Sequence, residues 1–375
     1  MNTRPHFVLV GGFLGAGKTT SIARFARHLG DQGLRTALIA NDQGHELVDT
    51  TVLRAGGIQT AEIGGGCFCC RFDALIGATR AMGAGVTPDV FLAEAVGSCT
   101  DLIATVAYPL RRLHREQFTI APLSVLVDPV RARRMLEGGD AAGFSPEVCY
   151  VFEKQLEEAE LIVVTKSDTI SPVEIEALRA MLARRFPSAE FFSISARSGS
   201  GLDAWFQRML FGEQALQPTM SMDYDRYAEG EARLGWCDAS AEVAGDSDFD
   251  ADALLLRLAV GLQEQLRAQH VPIAHLKLSL RPGGRDGGLA SVNVVRNDAV
   301  PEWGHRWHGG MRSGRLQLNL RAEASPERLA AAVRGTLCDT ARSAGVRIEQ
   351  LATDSFQPGR PMPTHRDVYP AGTAE

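Results

Sequence analysis

The segment Gly12-Phe-Leu-Gly-Ala-Gly17-Lys18-Thr19 sets two glycines, a lysine and a hydroxyl residue at the spacing G-x-x-x-x-G-K-[ST]. With that spacing, backbone N–H groups curl around phosphate oxygens at a helix N-terminus, where the dipole also favours an anion. Lys18 is then placed for β- and γ-phosphates, and the Thr19 hydroxyl for Mg²⁺. Gly12, Gly15, Ala16, Gly17, Lys18, Thr19 and Thr20 are the candidate phosphate-binding residues. A Gly-rich turn without a ligand is the plain alternative. Lysine usage weighs against it, because among 39 basic residues there are only four lysines: Lys18, Lys154, Lys166 and Lys277.

A second cluster is Gly64-Gly-Gly-Cys67-Phe-Cys69-Cys70, three thiols in four residues after three glycines. Thiols so spaced can converge on one soft ion: Zn²⁺, Cu⁺ or thiolate-tolerant Co²⁺. A redox switch or inert packing are the other readings of Cys67, Cys69 and Cys70. A four-coordinate ion needs one more ligand, from Asp42, His45, Glu62, water or a partner protein. An incomplete set favours transfer of the ion over permanent binding. Cys99, Cys149, Cys237 and Cys338 are scattered and read as small buried hydrophobes in a reducing compartment.

Thr165-Lys166-Ser167-Asp168 stands at the end of an apolar run and fits the [NT]-K-x-D element of GTP-binding proteins. There the Asp168 carboxylate would accept from guanine N1–H and the exocyclic amine, which adenine cannot match, while the Lys166 stem packs along the base. Ser195-Ala196 at the next run's end fits the short element whose backbone meets the guanine oxygen. A helix cap at Asp168 is the alternative. Glu94-Ala-Val-Gly97 ends another apolar run; its carboxylate can hold Mg²⁺, and Gly97 leaves room for a γ-phosphate. Asn41-Asp42-Gln43-Gly44 falls where a switch loop would lie. His305-Arg-Trp-His308, the one close histidine pair, reads as a solvated loop between Pro301 and Gly309-Gly310.

The elements that must position these groups follow from periodicity. Phe7–Val10, Arg35–Ala40, Val90–Ala93, Leu123–Val127, Leu161–Thr165 and Glu190–Ile194 are continuous apolar runs that read as buried strands. Helical patterns over Thr19–Leu29, Pro146–Glu158, Val173–Phe186 and Gly201–Leu210 lie between several of them, which predicts an α/β domain with a mostly parallel sheet flanked by helices. Residues 1–212 are expected to form it, followed by an acidic linker over 213–250 with room for a strand near Trp236. A smaller C-terminal α+β domain is expected over 251–357, in the order helix, three strands, helix, strand, and an irregular proline-rich tail over 358–375. The 375 residues carry a net charge of −6, which argues against a nucleic-acid partner. Without a long apolar run or a signal-like start, a cytoplasmic, membrane-free protein is expected.

These motifs, in this order, resemble the CobW-type P-loop GTPases: Gly12–Thr19, then Gly66-Cys67-Phe68-Cys69-Cys70, Glu94-x-x-Gly97 and Thr165–Asp168. The resemblance covers residues 6–211 closely and the C-terminal part more loosely. It implies a GTPase, slow in isolation, that uses GTP and Mg²⁺ and passes Zn²⁺ (or Co²⁺) from its Cys-x-Cys-Cys motif to a client metalloprotein. Lys18 and Glu94 would be catalytic, Thr19 and Glu94 would hold Mg²⁺, and Asp42 is a further candidate ligand. The chain departs from the family in lacking a His-rich stretch between domains and in having Asn41-Asp42 where Asn-Glu is common. The rival readings are an ATP-using P-loop ATPase or kinase with structural cysteines, and a nucleotide-bound metal or redox sensor. Oligomeric state is left open, with a dimer among the options.

Overall fold

The computed structural model describes residues 4–41, 48, 58–138, 143–283 and 288–369. The chain divides into two compact units. The first is Met1–Gln43, Gly57–Gly230 and Arg360–Glu375; the second is Gly44–Gly56 and Glu231–Gly359.

The first unit is built on a parallel sheet of β1 (His6–Gly11), β2 (Thr36–Asn41), β3 (Thr60–Ile63), β4 (Val90–Glu94), β5 (Thr119–Ile120), β6 (Ser124–Val127), β7 (Leu161–Val164) and β8 (Glu190–Ser193). Their order is β3-β2-β4-β1-β6-β7-β8, with β5 beside β1. The strands β4, β6 and β7 are buried along their whole length, as a sheet covered on both faces requires. The covering helices are α1 (Lys18–Asp31), α2 (Phe72–Gly83), α3 (Tyr108–His114), α4 (Pro129–Glu137), α5 (Pro146–Glu157), α6 (Pro172–Arg185) and α7 (Leu202–Phe211), with α8 (Tyr224–Arg233) following. A π-helical turn, Ile103–Ala107, leads directly into α3. Helix α1 buries Ile22, Phe25, Ala26 and Leu29 on one face, and Phe25 stacks on Phe206 of α7 with ring centroids 4.4 Å apart. Among the described residues no helix is long and apolar enough to cross a membrane.

The second unit is an antiparallel sheet ordered β12-β11-β10-β13-β9-β14, from β9 (Gly235–Asp250), β10 (Ile273–Pro282), β11 (Ala290–Val294), β12 (Glu302–His305), β13 (Gly310–Ala322) and β14 (Val346–Phe356). Helices α9 (Ala251–Ala268) and α10 (Pro326–Ala344) bury Leu255, Leu258, Leu262, Val333 and Leu337 in one core with strand residues. The combination is a parallel α/β unit and a smaller α+β unit, the fold class the sequence implies.

The stretch read as an acidic linker is the point of difference. Residues 224–233 are helical, and Gly235–Asp250 is an interior strand of sixteen residues. Cys237, Ala239, Ala241 and Val243 alternate inward along it, but alanine makes that period faint. Two of its acidic residues pair with arginines of β13: Glu242 with Arg315 directly opposite at 3.2 Å, and Asp238 with Arg321 on the diagonal at 2.6 Å. Arg321 is fully buried, with its guanidinium 3.8 Å from the Trp236 ring centroid. Part of the charge that reads as solvated in sequence, at Asp238 and Glu242, is therefore paired by a neighbouring strand.

Candidate functional site

The phosphate loop leaves β1 and enters α1 at Gly17, a left-handed N-cap with φ 83°. Gly12 sits at φ +125°, where an added Cβ would lie 2.2 Å from the Leu126 carbonyl oxygen, so only glycine serves there. Lys18 is 7% exposed and its Nζ donates to Gly12 O at 2.7 Å and Phe13 O at 3.4 Å, which holds the ammonium over the loop. The Thr19 hydroxyl donates to Glu94 Oε1 at 2.8 Å. Glu94 ends β4, the neighbour of β1, with Val10 opposite it in register. Two hard oxygen donors and an ammonium thus meet at a helix N-terminus, an arrangement for polyphosphate with a hard cation.

The elements after β7 and β8 reach the same edge of the sheet. The Thr165 hydroxyl donates to Ala16 O at 2.8 Å, which ties Thr165–Asp168 to the phosphate loop. Lys166 takes a left-handed conformation, and its Nζ pairs with Asp128 Oδ2 at 3.3 Å, fixing the direction of its stem. Asp168 is half-buried and 3.8 Å from an Arg197 nitrogen. Ser195 Oγ accepts from Ser198 N–H, and the Ala196 carbonyl accepts from Arg24 of α1. Hydrogen bonds therefore tie Thr165 to the phosphate loop and Ala196 to the helix that this loop opens.

The cysteines occupy a turn between β3 and α2. Asn41, at the end of β2, organises it: its amide donates to Ile63 O and Gly66 O at 2.9 and 2.8 Å, and its Oδ1 accepts from Phe68 N–H at 2.9 Å. The Cys67 and Cys69 sulfurs lie 2.6 Å apart; Cys70 Sγ is 3.3 Å from Cys67 and 3.7 Å from Cys69. Donation from the Cys69, Cys70 and Cys99 thiols pulls Cys67 well below the usual thiol range. The shared proton, together with burial, pushes Cys69 well up, and Cys67 drives Cys70 to about 11. The direction of these shifts favours ionisation of Cys67 over that of Cys69 and Cys70.

Cys99 corrects the sequence reading. It is not an isolated hydrophobe: its sulfur and those of Cys67 and Cys69 all lie within 4.8 Å of one another. The three are nearly fully buried. Nothing near Cys99 in the chain signals this, because the contact depends on β4 lying beside β2 in the sheet. Of the other proposed fourth ligands, Glu62 lies in β3 outside this thiol group, while Asp42 and His45 lie outside the described residues. His305 ends β12 and His308 follows in a left-handed turn; they form no metal group among the described residues.

Residues that the sequence did not single out hold the Cys99 loop in place. Gln155 donates to Gly97 O and Cys99 O at 3.0 and 2.9 Å. Buried Asp101 accepts from Tyr224 Oη and Arg366 Nε, both at 2.7 Å. The end of the chain passes over the cysteine turn: Thr364 N–H donates to Cys69 O at 2.8 Å and Met362 N–H to Cys70 Sγ at 3.2 Å.

A phosphate loop between the first strand and helix of a parallel sheet, with hard donors beside it, defines a P-loop nucleotide-binding protein. Residues 6–193 match the family described as CobW/HypB/UreG, nucleotide-binding domain, and the chain belongs to that family. The zinc chaperone YeiR of Escherichia coli (strain K12) is 30% identical over 178 residues, 46% of this chain and 49% of that protein. The zinc chaperone CobW of a Sinorhizobium species is 29% identical over 213 residues, 51% of this chain and 58% of that protein. The chain thus spans about half the length of the curated relatives it matches. Among solved structures, the Zn(II)-bound YjiA GTPase from E. coli is 18% identical and covers 90% of this chain and 99% of its own, with a TM-score of 0.36. HypB from Archaeoglobus fulgidus is 22% identical and covers 54% and 87%, with a TM-score of 0.37.

Proposed function

We propose that this protein is a GTP-hydrolysing metallochaperone that takes a soft transition metal on Cys67, Cys69 and Cys70, zinc in preference to cobalt, and passes it to a client protein. One juxtaposition carries the reading. Glu94 lies opposite Ala40 in the ladder, and the next residue, Asn41, holds the cysteine turn, so phosphate-facing and thiol groups share adjacent strand ends. The family membership and the two zinc-chaperone relatives support it.

In this reading Gly12, Gly15, Ala16, Gly17 and Thr20 cradle the phosphates through backbone N–H groups, and Lys18 meets the β/γ-oxygens. Thr19 and Glu94, oxygen donors 2.8 Å apart, fit Mg²⁺, which when bound supplies charge neutralisation at the phosphates. Asp168 reads the guanine edge, Lys166 lies along the base, and Ser195-Ala196 meet its oxygen. Thr165 keeps that reader in register with the phosphate loop. The chain's part in hydrolysis is positioning and electrostatics.

Lys18→Ala tests the nucleotide site. The folded variant is expected to lose GTP turnover, measured as phosphate release, because the cationic contact to the developing charge is gone. Wild-type turnover in a folded Lys18→Ala protein overturns the assignment.

A further inference from the structure

We propose that Cys99 is a fourth thiolate ligand to the cargo ion, which is then clasped between the Cys67–Cys70 turn and the loop that follows Glu94. The inference rests on the metal reading of Cys67, Cys69 and Cys70 and adds a residue outside their motif.

The argument is geometric. Four sulfurs bound ~2.3 Å from one zinc sit roughly 3.8 Å apart in a tetrahedron. The thiols of the turn are separated by 2.6, 3.3 and 3.7 Å, and Cys99 Sγ lies within 4.8 Å of both Cys67 and Cys69. Cys67, Cys69 and Cys99 already form one group of sulfurs, which Cys70 joins from the side of Cys67 and Cys69, so closing on one ion brings Cys70 and Cys99 towards each other. The group is closed in by protein: Cys67, Cys69 and Cys99 are 3%, 1% and 1% exposed. Cys99 is also held by more than packing. Gln155 binds its carbonyl, and its own N–H donates to Val96 O at 3.0 Å, so the thiol is presented from a shaped turn.

The same loop abuts the phosphate site. An added Cβ on Gly97 would stand 2.7 Å from the Leu14 side chain and 3.0 Å from the Leu14 backbone nitrogen, so Gly97 packs directly on the phosphate loop. Cys99 is two residues further on, and Glu94 is three residues before Gly97. With Cys99 as ligand the thiolate set is complete, each thiol giving its proton to solvent as it binds. Release then requires one ligand to leave, and Cys99 is the one whose loop touches the nucleotide site. Rearrangement at Leu14–Gly97 on phosphate loss would withdraw a single sulfur and leave the three-thiolate, transferable set on the turn.

The test is zinc X-ray absorption on the intact chain loaded with one equivalent of Zn²⁺, alongside Co²⁺ titration of wild type and Cys99→Ser. Wild type is expected to show four sulfurs at about 2.3 Å. Cys99→Ser is expected to show three sulfurs and one lighter atom, weaker thiolate-to-cobalt charge transfer, and a loss of affinity of at least about 10–100-fold, the scale of losing even an outer partner. Three sulfurs and a light atom in wild type, or unchanged affinity and absorption in Cys99→Ser, overturns the role of Cys99. The wild-type spectrum decides the matter even if the variant fails to fold. A wild type that takes up neither ion overturns the metal reading itself, which is a different outcome.

Discussion

Asp168 and Glu158 show how single carboxyl groups in this protein can be read from their surroundings. Asp168 stands at the strand-end edge with a loose 3.8 Å pairing to Arg197, so its oxygens can turn to a base. Asp168→Asn replaces an acceptor with a donor at the exocyclic position. GTP affinity should fall by about 1.5–3 kcal/mol, the worth of a charged hydrogen bond, and xanthine nucleotides should gain. Unchanged GTP affinity in a fluorescent-nucleotide titration would reduce the motif to a helix cap. Glu158 is fully buried, accepting from Thr100 Oγ1 and Ile103 N–H, and burial with the nearby Asp101 charge raises it from 4.5 to about 8. The native state therefore binds this proton more tightly than the unfolded chain. Stability from it is full below about pH 4.5 and declines as pH rises towards about 8. Glu158→Gln removes the decline, so its stability relative to wild type should improve by up to about 1.4 kcal/mol per pH unit across that window. Denaturant melts at pH 5, 6.5 and 8 check this, and a pH-independent difference between the proteins refutes it.

At the scale of elements, the parallel sheet was legible because its strands are unbroken apolar runs, and the phosphate loop because its spacing is imposed by backbone geometry. The cysteine turn was legible as a cluster, yet its partner Cys99 was not, since only the placement of β4 beside β2 brings the two together. Strand β9 was legible only near Trp236; its full length escaped because alanines carry its alternation and because Asp238 and Glu242, read as solvated, pair with Arg321 and Arg315 of β13. Helices α2, α3 and α4 also escaped, α3 behind a π-turn that breaks the 3.6-residue period. The irregular tail read over 358–375 forms no helix or strand in its described part, 358–369, but that part is tied down. Arg366 pairs with Asp101, Asp367 pairs with Arg112 at 2.8 Å, and Thr364 and Met362 bond the cysteine turn. Arg366→Ala should cost about 1–3 kcal/mol, since Asp101 is 2% exposed and loses its cationic partner. It should also speed maleimide labelling of Cys70, whose sulfur accepts the Met362 N–H. A labelling rate equal to wild type would mean that the strap does not shield the thiols.

For the whole molecule the proposed function demands linkage between metal and nucleotide. Asn41 anchors the cysteine turn from the end of β2, and Glu94 faces the phosphate loop from the end of β4, the strand paired to it. Any ordering that a γ-phosphate imposes on the Glu94–Gly97 segment is therefore transmitted within one unit, through backbone contact at Leu14 and through paired strands, to the thiols. Metal affinity should accordingly be higher with a non-hydrolysable GTP analogue than with GDP, by a factor equivalent to ~1–3 kcal/mol. Linkage demands that bound zinc tighten the analogue over GDP by that same factor, since the two free-energy differences close one cycle. Chelator-competition titrations of Zn²⁺ in each nucleotide state, and nucleotide titrations with and without Zn²⁺, measure both sides independently. Changing Cys67, Cys69 and Cys70 together to serine should abolish the metal side while GTP still binds, because the phosphate contacts do not involve sulfur. Equal zinc affinity in the two nucleotide states would leave a GTPase with a constitutive metal site and remove the reason for hydrolysis to release the ion.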